Sequence, residues 1–181
     1  GICFVTRGPG ATNASAGIHI AMQDSVPLIL FIGQVASHAK EREAFQEVDY
    51  KRFFGDIAKW VVEIDDASRI PEFVTRAFAV ATSGRPGPVV ISLPEDMLTS
   101  EVQAPEALPH TPVETYPGGA ELDALEMLLN GAKRPFVILG GTRWNEEAVA
   151  RMRAISEAWS LPVGCSFRRQ MLFDHLHANY A

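Results

Sequence analysis

The segment at residues 26–32 constrains the fold of this chain more than any other, because it holds seven consecutive apolar or proline residues. An unbroken apolar stretch of strand length is typical of a strand buried on both faces of a parallel sheet. Pro27 stands near its start, where a missing backbone donor costs little. Further strands are predicted at residues 2–5, 60–64 and 89–93.

Helices are predicted between these strands. Residues 14–23 form a helix rich in Ala, Gly and Ser, and residues 48–54 form a short one. Residues 70–82 place apolar side chains at helical spacing on one face, and residues 65–68 supply capping side chains before them. Strands that alternate with helices predict an α/β fold with a doubly wound parallel sheet.

A change of composition separates residues 1–98 from the rest of the chain. Residues 99–119 are rich in proline, glutamate, threonine and glycine, which predicts an extended, semi-stiff linker. Residues 120–181 are predicted to begin a second, Rossmann-like α/β domain, although about 60 residues bury only a marginal core. The predicted elements of that domain are helices at 122–129 and 146–159 and strands at 136–139 and 162–165.

Charge and cysteine content narrow the class of protein. The net charge of −6 divides evenly between the two halves, so neither offers a basic face for nucleic acid. No apolar run approaches the ~20 residues of a membrane helix. Cys3 and Cys165 lack a partner at metal or redox spacing, which predicts reduced core residues of a cytoplasmic protein. Gly1, in place of an initiator Met, and the abrupt end at Ala181 predict a piece of a longer protein.

A glycine turn follows the first predicted strand. Gly8 and Gly10 allow backbone angles closed to other residues and leave room for a ligand, and Pro9 stiffens the turn between them. Thr12 or Asn13 is expected to cap the helix that follows. The spacing is neither GxGxxG nor the phosphate loop GxxxxGK[ST]. Taken alone, the segment is more typical of a plain tight turn with a helix cap.

Five motifs that follow one another extend this interpretation. The glycine turn is followed by Gly17-Ile18, residues 24–28, Gly33-Gln34-Val35, residues 44–49 and residues 84–90. In this order they resemble the pyrimidine-binding domain of thiamine diphosphate enzymes of the acetolactate synthase and pyruvate oxidase group. The resemblance covers residues 1–98 closely and the rest of the chain more weakly.

The resemblance implies the cofactors thiamine diphosphate and Mg²⁺. It also implies that Pro9 and Asn13, with the backbone of Gly8 and Gly10, border the pyrimidine ring. In the family, the glutamate that activates this ring lies upstream of the strand that opens this chain. The residues that bind magnesium and diphosphate lie beyond Ala181. The chain itself is therefore expected to supply one wall of the site and no metal ligand.

The resemblance further assigns residues to the reaction and to the substrate. Gln34 is implied as the catalytic residue that faces the reacting end of the cofactor; the alternative is a loop glutamine bonded to water. Phe45 and Gln46 are implied to line the substrate channel, and Lys59 to stand near its entrance. From the residues alone, Phe45 in a core and a solvated Lys59 are the more frequent arrangements.

Weaker candidates remain outside this set. Glu47 and Asp49 form a possible carboxylate pair, and His175 with His177 would need a third ligand to hold a metal. Arg168-Arg169 is either a phosphate grip or a solvated pair. Gly140-Gly141 match the start of the region that holds FAD in acetolactate synthases. The segment at residues 165–170 departs from the flavin pattern, so flavin binding stays open. Ala36 stands where acetolactate synthases usually carry proline, so the assignment to the acetolactate synthases stays open as well.

These features favour the interpretation that the chain is part of an enzyme that decarboxylates a 2-oxo acid and transfers the acyl unit. The resemblance implies a homodimer or homotetramer, with the small-residue helix at residues 14–21 at the contact. Two alternatives stay open: a simple 2-oxo acid decarboxylase of the same family, and a non-catalytic nucleotide-binding or regulatory module built on Gly140-Gly141.

Overall fold

A computed structural model describes every residue of the chain, 1–181. The chain forms two units, residues 1–113 and residues 114–181. Four parallel strands form the sheet of the first unit. The strand order is β1-β2-β4-β3, and each neighbouring pair is parallel. The strands are β1 (Ile2–Val5), β2 (Leu28–Gln34), β3 (Trp60–Glu63) and β4 (Pro88–Pro94).

Helices cover both faces of this sheet. Successive strand residues point to opposite faces, so Ile29, Phe31 and Ile91 join one hydrophobic cluster while Leu30 and Ile32 join the other. The doubly wound parallel sheet predicted from the sequence is therefore confirmed. The helices of this unit are α1 (Gly8–Gln23), α2 (Tyr50–Phe54), α3 (Ile70–Thr82) and α4 (Glu95–Leu98).

The edge strand β1 lies where a strand was predicted, but it is largely exposed. Phe4 is 70% exposed, although its ring stacks on Phe31 with the ring centroids 4.6 Å apart. Cys3 is exposed as well, so its prediction as a core residue is wrong. The reason is its place in the sheet, since β1 has a neighbouring strand on one side only. Cys165 is half-buried, and burial raises the pKa of its thiol.

The observed bounds of the helices show which of them can be predicted from local sequence signals alone. The α3 helix begins and ends where its apolar periodicity predicted. The α1 helix begins six residues before the prediction, at Gly8, so the glycine turn is itself its first turn. Thr12 and Asn13 thus lie inside the helix, and their predicted role as caps is wrong. The Thr12 hydroxyl instead donates to the Pro9 carbonyl at 3.1 Å.

The second unit is a smaller β-α-β arrangement preceded by a helix. Its strands β5 (Val137–Leu139) and β6 (Val163–Cys165) are parallel. Helix α6 (Glu146–Trp159) has the predicted bounds, whereas α5 (Gly119–Gly131) is longer than predicted and buries no residue. The core consists of Leu139, Val163, Leu172 and Phe173. Neither unit contains a helix long and apolar enough to cross a membrane.

Candidate functional site

The carboxyl ends of the strands in the first unit meet at one edge of the sheet. Helix α1 starts just after β1, Gln34 ends β2, and Glu63 ends β3. Open α/β sheets bind their ligands at this edge. A cavity of about 300 Å³ lies here. Its polar lining includes Gln34, Lys40, Glu47, Tyr50, Glu63 and Ser92.

Gly8 and Gly10 are needed for packing within the chain. Gly8 is buried at a φ of +22°, and a β-carbon there would lie 2.8 Å from the carbonyl oxygen of Gln46. A β-carbon on Gly10 would lie 3.0 Å from Thr6 Cγ2 and 3.1 Å from Val5 Cβ. Both glycines therefore let other parts of the chain approach the start of α1 closely.

The open side of the same turn is formed by Pro9 and Asn13, which are exposed. The first backbone donors of α1 are already used, because Gly8 N–H donates to the Tyr50 hydroxyl and Gly10 N–H to the Arg7 carbonyl. A phosphate would need free amides at a helix start, whereas a flat uncharged ring needs an apolar surface and a polar contact. The Pro9 ring is an apolar surface and the Asn13 amide is a polar contact, but neither residue lines the cavity beside Gln34.

Gln34 is 6% exposed and is held by two backbone hydrogen bonds. Its Nε2 donates to the Val48 carbonyl at 2.9 Å, and its Oε1 accepts from Val35 N–H at 2.9 Å. The alternative of a loop glutamine bonded to water is therefore wrong. A primary amide has two N–H protons, and the bond to Val48 uses one of them. The bond to Val48 leaves the second proton over, and Gln34 lines the cavity.

Phe45 and Gln46 lie on the loop between β2 and α2. Phe45 is 79% exposed, so the alternative of core packing does not hold. Gln46 has a φ of +67°, in the left-handed region that a side chain disfavours. The backbone contact with Gly8 places Gln46 beside the start of α1. The two segments assigned to the pyrimidine ring and to the substrate channel are thus in direct contact.

Lys59 lies at the opposite edge of the sheet. It immediately precedes β3, so it stands at the amino ends of the parallel strands, away from Gln34. Its ammonium group donates to the carbonyl groups of Val80 and Ser83 at the end of α3, and burial lowers its pKa. The predicted position at the channel entrance is corrected accordingly: Lys59 binds the last carbonyls of a helix, which is a structural role.

Sequence reasoning missed a polar cluster at this edge. The Glu63 carboxylate pairs with the Lys40 ammonium group and accepts from the Ser92 hydroxyl at 2.7 Å. Ser92 is buried and pairs in register with Glu63. The available signal was Ser92 itself, since it is the one polar residue in the strand predicted at residues 89–93.

Acidic side chains fix the loop that carries Phe45. Glu47 accepts from the backbone N–H groups of Glu41 and Ala44 at 2.8 and 3.3 Å. Asp96 accepts from Ser37 N–H at 2.9 Å, and this bond holds the pKa of its carboxyl below the usual range. Asp49, the other half of the suggested carboxylate pair, caps α2 through Arg52 N–H at 3.1 Å. These carboxylates therefore stabilise loop and helix backbone.

The glycine turn of the second unit is also tightly packed. Gly141 has a φ of +76°, and a β-carbon on Gly140 would lie 2.9 Å from the Ser166 hydroxyl oxygen. The Trp144 indole donates to the Gly140 carbonyl at 2.7 Å. His177 pairs with Glu157 at 3.0 Å. No group of three or more potential metal-binding side chains is found anywhere in the chain.

Two models of known protein families match this chain. Residues 1–53 match the family described as "Thiamine pyrophosphate enzyme, N-terminal TPP binding domain", and residues 122–181 match "Thiamine pyrophosphate enzyme, central domain". This chain belongs to the thiamine diphosphate enzymes. The resemblance recognised in the sequence is thereby confirmed, and thiamine diphosphate is the cofactor of the family.

Similar proteins include acetolactate synthases and a glyoxylate carboligase. The chain is 36% identical to the acetolactate synthase isozyme 3 large subunit of Escherichia coli K12, with 98% of this chain and 32% of that protein covered. It is 40% identical to the acetolactate synthase large subunit of Lactococcus lactis, with 90% and 29% covered. It is 32% identical to the glyoxylate carboligase of Escherichia coli O157:H7, with 90% and 28% covered. The chain thus spans about 30% of the length of these relatives.

Proposed function

We propose that this chain forms the pyrimidine-binding side of an acetolactate synthase-like carboligase. Residues 1–98 form the pyrimidine-binding domain, residues 99–119 the linker and residues 120–181 the start of the central domain. The enzyme decarboxylates a 2-oxo acid and transfers the resulting acyl unit to an acceptor. It works in the cytoplasm as a homodimer or homotetramer, and it uses Mg²⁺ together with thiamine diphosphate.

The observation that carries this proposal is the meeting of three segments at the carboxyl edge of one parallel sheet. The start of α1 offers Pro9 and Asn13, the end of β2 offers Gln34, and the loop before α2 offers Phe45. A nucleotide-binding module would not need an exposed aromatic side chain and a buried amide at this edge. The similarity to carboligases supports the same assignment.

Each residue has a role that its surroundings allow. Thiamine diphosphate, when bound, supplies the carbon nucleophile and the electron sink of the reaction. Pro9 provides an apolar surface for the pyrimidine ring, and the Asn13 amide provides a hydrogen bond to its edge. The second Nε2 proton of Gln34 stabilises negative charge that develops on a substrate oxygen. Phe45 gives an apolar wall for the substrate, and the Gln46 amide gives a polar contact.

The test is product analysis with the complete enzyme, thiamine diphosphate, Mg²⁺ and pyruvate. Acetolactate as the product supports carboligation, whereas acetaldehyde indicates a simple decarboxylase. A protein that forms neither and binds FAD or ADP tightly in calorimetry is a nucleotide-binding module, and the proposal is then wrong.

A site variant with a matched control makes this test specific. Asn13→Ala removes one hydrogen bond to the ring, so the Kd of thiamine diphosphate should rise about two- to tenfold. Gln23→Ala is the control, because Gln23 is an exposed amide at the other end of the same helix. An equal rise in the Kd of thiamine diphosphate in both variants would show that the start of α1 does not contact the cofactor.

A further inference from the structure

We propose that Tyr50 is a positioning residue that holds the start of α1, the end of β2 and the loop with Gln46 in one arrangement. The inference rests on the proposed function, because these are the three segments assigned to the cofactor and substrate. Tyr50 does not touch the reacting atoms in this proposal. It acts through the backbone of Gly8 and Gly33.

The Tyr50 hydroxyl joins two of these segments directly. It accepts a hydrogen bond from Gly8 N–H at 2.9 Å and lies 3.3 Å from the Gly33 carbonyl, to which it donates. The first N–H groups of a helix have no partner within the helix, and a side chain at the N-cap usually supplies one. Arg7 occupies the N-cap of α1 and makes no such bond. Tyr50, from a different helix, caps α1 in its place.

The third segment is connected through Gly8. The space that a β-carbon on Gly8 would occupy is filled by the Gln46 backbone, whose carbonyl oxygen is 2.8 Å from that position. Gln46 adopts a left-handed backbone conformation at a φ of +67°. Such a conformation persists only where surrounding contacts fix it. A shift of Gly8 therefore alters the support under Gln46, and through it the neighbouring Phe45.

Tyr50 is itself held firmly enough to position other groups. Its side chain is 2% exposed and packs in the cluster that includes Ala11, Ile18 and Phe54. Helix α2 begins at Tyr50 and is capped by Asp49. Burial raises the pKa of the Tyr50 hydroxyl, which keeps its proton available for the Gly33 carbonyl. A phenylalanine would fill the same space but offer neither the donor nor the acceptor.

The test is Tyr50→Phe, which removes one oxygen atom and keeps the ring. Amide hydrogen exchange of Gly8 in the variant should be about tenfold faster, because its N–H loses its only partner outside α1. Exchange in the buried centres of β2 and β4 should stay unchanged. In the complete enzyme, the Kd of thiamine diphosphate should rise about three- to tenfold, while kcat at saturating cofactor changes less than twofold. Tyr116→Phe is the control, since the Tyr116 hydroxyl is exposed and bonds only Glu114.

Each outcome bears on the proposal. Unchanged Gly8 exchange and unchanged Kd overturn it, and faster exchange throughout β2 and β4 overturns it too, because Tyr50 would then be an ordinary core residue. A wild-type enzyme that needs no thiamine diphosphate would contradict the proposed function instead. The Gly8 exchange measurement requires no cofactor, so the two failures can be told apart.

Discussion

The two units of this chain both place helices beside parallel strands, yet they bury their strands to different extents. In the first unit, β2 and β4 each have a strand on both sides and a hydrophobic cluster on both faces. In the second unit, two strands share a single cluster, and Ile138 in the middle of β5 is 68% exposed.

This difference has a consequence for stability and for function. Stabilisation from apolar burial grows with the area removed from water, so the first unit has the larger reserve. The candidate site lies on that first unit, where well-packed strands hold Gln34, Glu63 and Ser92. The second unit exposes apolar side chains along α5, namely Leu122, Leu125, Met127 and Leu128.

The largest expected effect comes from truncating one aromatic side chain in each unit. Phe54→Ala should lower the free energy of unfolding of the first unit by about 3–5 kcal/mol, because Phe54 is fully buried. Phe173→Ala should lower that of the second unit by less than about 3 kcal/mol, because its small cluster can collapse more easily. Urea unfolding followed by hydrogen exchange in peptides from each unit measures both values.

A control for this comparison is Phe53→Ala, since Phe53 neighbours Phe54 but is exposed on one side. Its cost should stay below about 1.5 kcal/mol. Equal losses for Phe54→Ala and Phe173→Ala would remove the difference in burial on which the comparison depends.

The next effect concerns the polar cluster at the carboxyl edge. Glu63→Gln removes the charge that pairs with Lys40 and leaves a partly buried ammonium group, so the first unit should lose about 1–3 kcal/mol of stability. Glu72→Gln breaks the exposed pair with Arg69 and should lower the stability much less, because water and salt screen an exposed pair. Thermal unfolding of both variants tests this, and similar shifts in Tm would show that the cluster is no more than a surface pair.

A smaller effect is expected from the helix caps, which the two units share. Asp49 caps α2 and Asn145 caps α6, each by accepting a backbone N–H. Replacing either with Ala should cost about 1 kcal/mol in its own unit. Asn130→Ala, at an exposed site within α5, serves as the control. A cap acts only on the first turn of its helix, so the two losses of stability should be similar. A much larger loss in one unit would mean that its helix depends on the cap more than on packing.

The smallest expected effect is a difference between the two units in how the pKa of one carboxyl group responds to salt. A backbone N–H lowers the pKa of Asp96, whereas His177 and then Arg153 lower the pKa of Glu157. Each carboxylate therefore adds stability above its unfolded pKa of about 4, and this stability is lost as pH falls through the lower folded pKa. High salt should move the Glu157 pKa toward its ordinary value and leave Asp96 unchanged. Carboxyl titration by NMR at two ionic strengths measures both, and parallel shifts would refute the distinction.

Most strands and helices of the first unit could be predicted from the sequence, because they follow local sequence patterns. The periodicity of α3 and the apolar segment that became β2 depend only on residues near each other in the chain. The exposure of β1 could not be predicted in this way, because an edge strand and a central strand can have equally apolar sequences. The early start of α1 was hidden because two glycines and a proline are typical of turns.

The candidate site was predicted in outline but not in its contacts. Gly8, Pro9, Asn13, Gln34, Phe45 and Gln46 could be assigned from motifs, and their roles stay predictions. Lys59 was misplaced because a motif gives order along the chain and not the edge of the sheet. Tyr50 gave no signal at all, since its bond to Gly8 joins residues far apart in sequence. Contacts of that kind require the fold.

Hydrogen exchange of the complete enzyme with and without thiamine diphosphate and Mg²⁺ tests the central claim most directly. The account predicts slower exchange in residues 7–13 and 33–50 when the cofactor binds, with little change in residues 139–146. Unchanged exchange in the first two segments, or protection confined to the glycine turn of the second unit, would contradict it.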